Sequence, residues 1–319
     1  MKRCLALLVC CSTIATQAPT ATAGPEETVV KVFAAIRFPN PTQPWAKVPP
    51  APTTGTGVII EGKRILTNAH LVEYGTEVTV QHGQGGEKVD ATVQALNLEV
   101  DLAILTVKDE KFFGNRKVLS RVADLPRVQD RVAIYGFPIG GNALSITKGE
   151  VSRIEYRFYG RGIGPIIQVS APINPGNSGG PAVVDGKMIG LVVSRLLNAQ
   201  NIGEVIPNEE IETFLESIKR GGQGGKATLA SKLLVQKLEN KALRRKLKVD
   251  DEVRGLFVQL ASPNKVNSPV KTFDVLTKIG EFPIDNSGQV QLKNGMSAYF
   301  VYLIPKLARG DAEIGRAHV

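Results

Sequence analysis

Three residue types that together perform nucleophilic acyl chemistry occur in this chain in the order His70, Asp101, Ser178. A serine hydroxyl is a poor nucleophile at neutral pH; it needs an adjacent base, and the base needs an orienting acid. Ser178 lies in Gly176-Asn177-Ser178-Gly179-Gly180-Pro181, a tight turn in which glycines expose the backbone. The N–H groups of Gly176 and Ser178 can form an oxyanion hole there, each donor contributing about a hundred- to a thousandfold in rate. His70 follows a buried-looking strand end, Ile65-Leu66-Thr67, where a rigid scaffold can hold an imidazole as general base. Asp101 heads the apolar run Leu102-Ala103-Ile104-Leu105. A carboxylate beside that surface is costly unless paired, and the imidazole N–H supplies a partner that also fixes the tautomer.

Each motif has a plain alternative: a surface serine in a glycine turn, a structural histidine, a strand-end aspartate. The three together favour the triad. His82 in the glycine-rich turn Gln81–Gly86, and Asp90, Asp109, Asp124 and Asp130 in more polar surroundings, are weaker candidates. The sequence has no His-Glu-x-x-His and no Cys/His cluster, so neither a metal site nor a cofactor is expected. Gly160–Gly164 lacks the Lys-Ser/Thr of a phosphate loop and is expected to be a flexible loop beside the cleft.

The elements that must position these residues read as short strands separated by turns from Thr28 to about Ile218. Gly57–Ile60, Glu77–Val80, Ala91–Leu96, Arg131–Tyr135, Pro165–Val169 and Lys187–Val193 are examples, and their spacing predicts an all-β sandwich or barrel. One helix is signalled near the end. Asn208 is its expected cap, Glu209 and Glu210 fill the first turn, Ile211, Phe214, Leu215 and Ile218 repeat at helical spacing, and Gly221 stops it. Gly221–Gly225 reads as a flexible linker. A helix-like apolar pattern from Ala230 to about Lys248, strands at Gly255–Leu260 and Asp274–Gly280, and a helical segment at Ala298–Leu307 follow.

A chain of 319 residues accommodates one large and one small domain, and 43% hydrophobic with 22% charged residues is ordinary for a soluble globular protein. The net charge of +9 is scattered rather than gathered with aromatics into a stripe, so no nucleic-acid partner is expected. Residues 1–23 have the parts of a secretory signal: Lys2 and Arg3, the apolar run Cys4–Cys11, and Ala21-Thr22-Ala23 before Gly24. The run is shorter than the ~20 residues that span a bilayer, so no stable membrane insertion is expected. Leu8-Val9-Cys10-Cys11 fits a lipoprotein cleavage box poorly. All three cysteines lie in the leader, which leaves no disulfide in the mature chain. Export is expected, to a periplasm or otherwise as a secreted protein. Glu313–Val319 back-translates to a run resembling a sequencing-library adapter, so the natural protein is expected to continue beyond it.

From about Gly55 to Pro207 the sequence resembles the HtrA (Deg) serine endopeptidases, with plant Deg-type members the nearest in look. The resemblance rests on Gly55–Ile60, Leu66–Val72, Asp101–Leu105, Tyr135–Gly141, Gly149–Ile154, Ile173–Pro181 and Asn201–Gly203. It implies a mostly β fold, a chymotrypsin-like double β-barrel with a C-terminal helix over 24–220, and the triad between the barrels. It also implies ATP-independent cleavage of unfolded or damaged proteins, commonly by a homo-oligomer such as a trimer. The Pro-rich stretch from Phe33 to Pro52, with Trp45, is a candidate for subunit contacts or a surface arm. Beyond the linker (221–229), residues 230–312 resemble a PDZ-like α/β module that stops where a final strand belongs. Gly255-Leu256-Phe257-Val258 resembles its peptide carboxylate loop. Val192, Val193 and Ser194 form the expected pocket-side strand. Glu204 stands where family members often carry an aromatic, which puts the usual preference for small aliphatic residues in question. Two competing readings are a catalytically silent, protease-like chaperone or peptide-binding protein, and an esterase or acyltransferase using the same triad.

Overall fold

The computed structural model describes residues 24–318 apart from 47, 84, 117, 160–161, 194–202, 223–232, 262–269 and 307–313. The signal-like leader, Ser194, the loop Arg195–Gln200, Asn201-Ile202 and most of the glycine linker lie outside the described residues.

Two sheets close into six-stranded barrels. The first comprises β1 (Val29–Ile36), β2 (Ala51–Ile60), β3 (Arg64–Thr67), β4 (Gly75–His82), β5 (Lys88–Asn97) and β6 (Leu102–Val107), in the order β1-β2-β3-β6-β5-β4. The second comprises β7 (Arg131–Gly136), β8 (Ser145–Tyr159), β9 (Gly162–Val169), β10 (Pro181–Val184), β11 (Lys187–Val193) and β12 (Gly203–Pro207), in the order β10-β11-β12-β9-β8-β7. Closure removes free strand edges, which an open sheet of this length would have to protect.

Strand alternation sorts the apolar residues into layers. Val30, Val32 and Ala34 of β1 join Val78 and Val80 of β4 in one cluster, which belongs to the first barrel. Val132 and Ile134 join Ile167, Val169, Val192 and Val205 in the second. Residues of the other parity, among them Val58, Ile60 and Leu66 from the first barrel and Phe137, Leu191, Val193 and Ile206 from the second, form a shared layer between the barrels.

Helix α1 (Asn208–Lys219) seals that layer with Ile211, Phe214 and Leu215. The helix ends as its sequence predicts, with Gly221 in the left-handed region at φ 79°. Its start differs: Pro207 is the cap, and the Asn208 amide instead donates to the Val122 and Met188 carbonyls at 2.7 and 2.6 Å. Phe214 is 1% exposed. Phe214→Ala is therefore expected to cost about 3–5 kcal/mol in urea unfolding; a change under about 1 kcal/mol would show that α1 is dispensable to the shared layer.

The C-terminal module contains β13 (Leu234–Lys237), α2 (Lys241–Leu247), β14 (Leu256–Leu260), β15 (Asp274–Ile279), β16 (Phe282–Pro283), β17 (Gln289–Gln291), β18 (Ser297–Tyr299) and β19 (Ile314–His318). The helical pattern read over Ala230–Lys248 divides into a strand and a helix. Asn240 makes the division, its side-chain oxygen accepting from the Ala242 and Leu243 amides at 2.9 and 3.2 Å. The helix read over Ala298–Leu307 is the end of β18 followed by a 3-10 helix, Phe300–Lys306. β19 lies within the adapter-like run 313–319, outside the 230–312 span, and pairs antiparallel with β15.

This module grips the β8–β9 hairpin and α1. Ile163 of β9 joins the module's apolar cluster with Leu256 and Tyr302, and the Tyr156 and Tyr302 rings meet edge-on at 4.6 Å. Of the free loop expected over Gly160–Gly164, residues 160 and 161 lie outside the described residues, and Gly162, Ile163 and Gly164 instead pair with β8, Ile163 being buried under the module. The Tyr302 hydroxyl donates to Glu209 of α1 at 2.6 Å, and Lys306 pairs with the same carboxylate. Burial and that carboxylate push the Tyr302 phenol far above its ordinary range.

Candidate active site

His70 lies in a 3-10 turn, Ala69–Leu71, that directly follows β3 and Asn68. Asp101 ends the turn between β5 and β6. That turn is shaped by Asn97, whose side-chain oxygen accepts from the Glu99 and Val100 amides at 2.8 and 3.3 Å. Asp101 is held in the left-handed region at φ 56°, a costly conformation for a residue with a side chain. Two donors hold its carbonyl there: the Asn68 amide at 3.0 Å and the Ala69 N–H at 3.2 Å.

So placed, the Asp101 carboxylate meets His70 twice. Oδ1 accepts from the His70 backbone N–H at 2.9 Å, and Oδ2 lies 2.7 Å from Nδ1. The Asp101 side chain is 5% exposed and that of His70 is 22% exposed. An ionised carboxylate can only accept, so Nδ1 carries the proton and Nε2 is left as the basic nitrogen.

Ser178 is 3% exposed and belongs to the turn that enters β10 of the other barrel. Thr56 of β2 joins this turn to the first barrel. Its N–H donates to the Ser178 carbonyl at 2.8 Å, and its hydroxyl donates to the Gly176 carbonyl at 2.7 Å while accepting from the Phe137 N–H at 2.9 Å. The Thr67 hydroxyl, three residues before His70, donates to the Thr56 carbonyl at 2.7 Å. The turn bearing the hydroxyl and the strand end bearing the imidazole are thus stitched together at one end of the inter-barrel seam. Sequence reasoning missed Thr56; the available signal was its place between Gly55 and Gly57.

The turn needs its glycines. Gly176 (φ 100°) and Gly179 (φ 84°) are both left-handed, and a Cβ at Gly179 would stand 2.0 Å from the Thr56 carbonyl oxygen. The Pro175 carbonyl accepts from the Ile139 N–H at 2.8 Å. Every described peptide is trans, so the Gly176 N–H points opposite to that carbonyl. Among the described residues no acceptor takes it. A serine, a base held in one tautomer and an unclaimed N–H beside the serine are the components of acyl transfer.

The other expected positions are distributed differently. Val192 is fully buried in the second barrel's cluster, so its side chain lines no pocket. It serves the turn through its backbone, accepting from Gly179 at 2.9 Å and donating to Gly180 at 2.8 Å. Val193 lies on the opposite face, in the layer between the barrels. Glu204 of β12 stands directly across from Val193, and its carboxylate is ion-paired with Arg157 of β8, which also contacts Glu155 at 3.3 Å. His82 is structural: it stacks on Phe112 at 4.3 Å and bonds the Phe112 carbonyl at 3.0 Å. Burial, then the nearby Arg116 charge, pushes its imidazole below the ordinary value.

The segment Gly255-Leu256-Phe257-Val258 is not a free carboxylate loop. Leu256 pairs with Lys237 of β13 on one side and Leu276 of β15 on the other, and the Gly255 N–H already donates to Asn286 at 3.2 Å. An added peptide needs an unpaired edge, which this stretch of β14 lacks.

A family profile described as Trypsin-like peptidase domain matches residues 55–191. The chain is 39% identical over 295 residues to Protease Do-like 2, chloroplastic, of Arabidopsis thaliana, covering 90% of this chain and 48% of that protein. It is 37% identical over 270 residues to Protease Do-like 4, mitochondrial, of the same plant, covering 83% of this chain and 52% of that one. The chain thus spans about half the length of these relatives. The solved structure of the HtrA-type protease AlgW with decapeptide aligns with a TM-score of 0.67 at 21% identity, covering 93% of this chain and 97% of that one. At that identity the likeness speaks for the fold.

Proposed function

Since the chain belongs to the HtrA (Deg) family of trypsin-like serine proteases, we propose that it is an ATP-independent serine endopeptidase that cleaves unfolded or damaged proteins. Ser178 Oγ attacks the peptide carbonyl carbon while His70 Nε2 takes the hydroxyl proton. Asp101 holds the imidazole and stabilises its charged form, and the Gly176 and Ser178 N–H groups receive the developing oxyanion. His70 then returns the proton to the leaving amine. The C–N bond breaks, leaving an acyl-enzyme that water hydrolyses by the same steps in reverse.

The observation that carries this reading is the double grip of Asp101 on His70, through the backbone N–H and Nδ1 together. A structural histidine needs only one of these bonds. The pairing sets the tautomer and leaves Nε2 as the base.

Incubation with a fluorophosphonate probe is expected to modify Ser178 alone, located by peptide mass spectrometry. A chain that stays unlabelled with and without added activating peptides would instead be a binding protein. Export to a periplasm or the exterior belongs to the same proposal, supported by the form of residues 1–23. So does self-association, supported by the exposed Phe38, Trp45 and Tyr74 of the first barrel's rim. Solution mass measurement checks the latter, and a strictly monomeric species would remove it.

A further inference from the structure

Lys31 of β1 is 6% exposed, yet among the described residues no carboxylate pairs with it. Its ammonium donates to the Gly141 carbonyl at 2.8 Å and to Asn142 Oδ1 at 3.1 Å, and lies 5.2 Å from the centre of the Phe33 ring. Burying an ammonium on neutral oxygens is costly, so the contact carries a cost that packing alone does not require. It also crosses from the first barrel to a turn of the second.

That turn, residues 138–141, has little of its own to hold it. It contains Gly140 at φ 92° and Gly141, its closing bond from Gly141 N–H to the Pro138 carbonyl is 3.3 Å long, and Ile139 is 67% exposed. Its outward bond runs from the Ile139 N–H to the Pro175 carbonyl. That bond sets the plane of the Pro175–Gly176 peptide and therefore the direction of the Gly176 N–H. Thr56 fixes the next plane, Gly176–Asn177, through the Gly176 carbonyl, and leaves this one to be set from the 138–141 side.

We infer that Lys31 is a positioning residue for the oxyanion-binding amide of Gly176, acting through Gly141, Ile139 and Pro175. The inference rests on the endopeptidase reading above. Without the ammonium, the 138–141 turn loosens and the Pro175 carbonyl is released. Glycine at 176 then permits its peptide to rotate, which replaces a donor in the oxyanion site by an acceptor.

The test is Lys31→Met in the full chain, with casein as substrate and fluorophosphonate titration to count active molecules. Per active site, kcat is expected to fall about ten- to a hundredfold, short of the loss of a whole donor, with KM unchanged within about twofold. Affinity for a peptidyl boronic acid, whose tetrahedral adduct uses the oxyanion site, should fall in parallel. Lys31→Arg, which keeps donors in place, should recover part of both. A wild-type kcat in Lys31→Met, or a lowered kcat with undiminished boronate affinity, overturns the inference. If Lys31→Met fails to fold, exposed Asn142→Ala removes one of the two oxygens; about a threefold loss of kcat is expected, and no loss overturns the inference. A wild-type chain that leaves casein intact would defeat the endopeptidase reading itself, a different outcome from an active wild type matched by its Lys31 variant.

Discussion

Ser178→Ala is expected to reduce turnover of unfolded casein by about a millionfold, to the rate left by binding and the oxyanion donors alone. Ser178 is 3% exposed and its backbone is tied to Thr56 by a 2.8 Å bond, so the substitution removes one oxygen without disturbing the turn. Thermal unfolding should therefore match the parent within about 2 °C, which separates loss of chemistry from loss of fold. Casein fragments accumulating at more than about a thousandth of the parent rate would assign the nucleophile elsewhere.

Asp101→Asn tests the other half of the site and should lower kcat by about ten-thousandfold with a smaller change in KM. The reason is directional. The carboxylate accepts from both the His70 N–H and Nδ1, whereas an amide can accept only through its single oxygen. If that oxygen stays on the backbone N–H, the amide NH2 faces Nδ1 and donates to it. The ring proton then moves to Nε2, where it blocks proton uptake from Ser178. Raising the pH should not restore activity, because the defect is a tautomer and not a charge. A kcat within about tenfold of the parent would show that Asp101 serves only the local turn.

The reach of sequence reasoning here follows the range of the interactions involved. The His70, Asp101 and Ser178 motifs are legible because each needs a distinctive local setting: a strand end, a carboxylate heading an apolar run, and glycines at positive φ on either side of Ser178. An all-β sandwich or barrel is legible because alternation and turn residues recur at short spacing, whereas the pairing of two barrels comes only from the family resemblance. Thr56 and Lys31 escape notice because their partners lie 120 and 110 residues away, and neither position is unusual for its own strand. Val192 and Val193 look alike as adjacent valines; only the pleat sends one into the second barrel's cluster and the other into the layer between barrels. In the C-terminal module the elements are short. Four residues of β13 and seven of α2 share an apolar pattern too brief to distinguish period 2 from period 3.6. Gly255–Val258 misleads for a related reason, since a Gly-apolar run reads the same whether the strand after it is an edge or lies between two neighbours.

The division of the site between two closed barrels has a consequence for the polypeptide as it is made. Base and acid emerge from the ribosome with the first barrel, while the hydroxyl comes from a segment synthesised later, after β9. A half-finished chain therefore holds an imidazole and a carboxylate with nothing to activate. On the proposed endopeptidase reading, it has no nucleophile to turn on itself or its neighbours until both halves have closed and Thr56 has joined them.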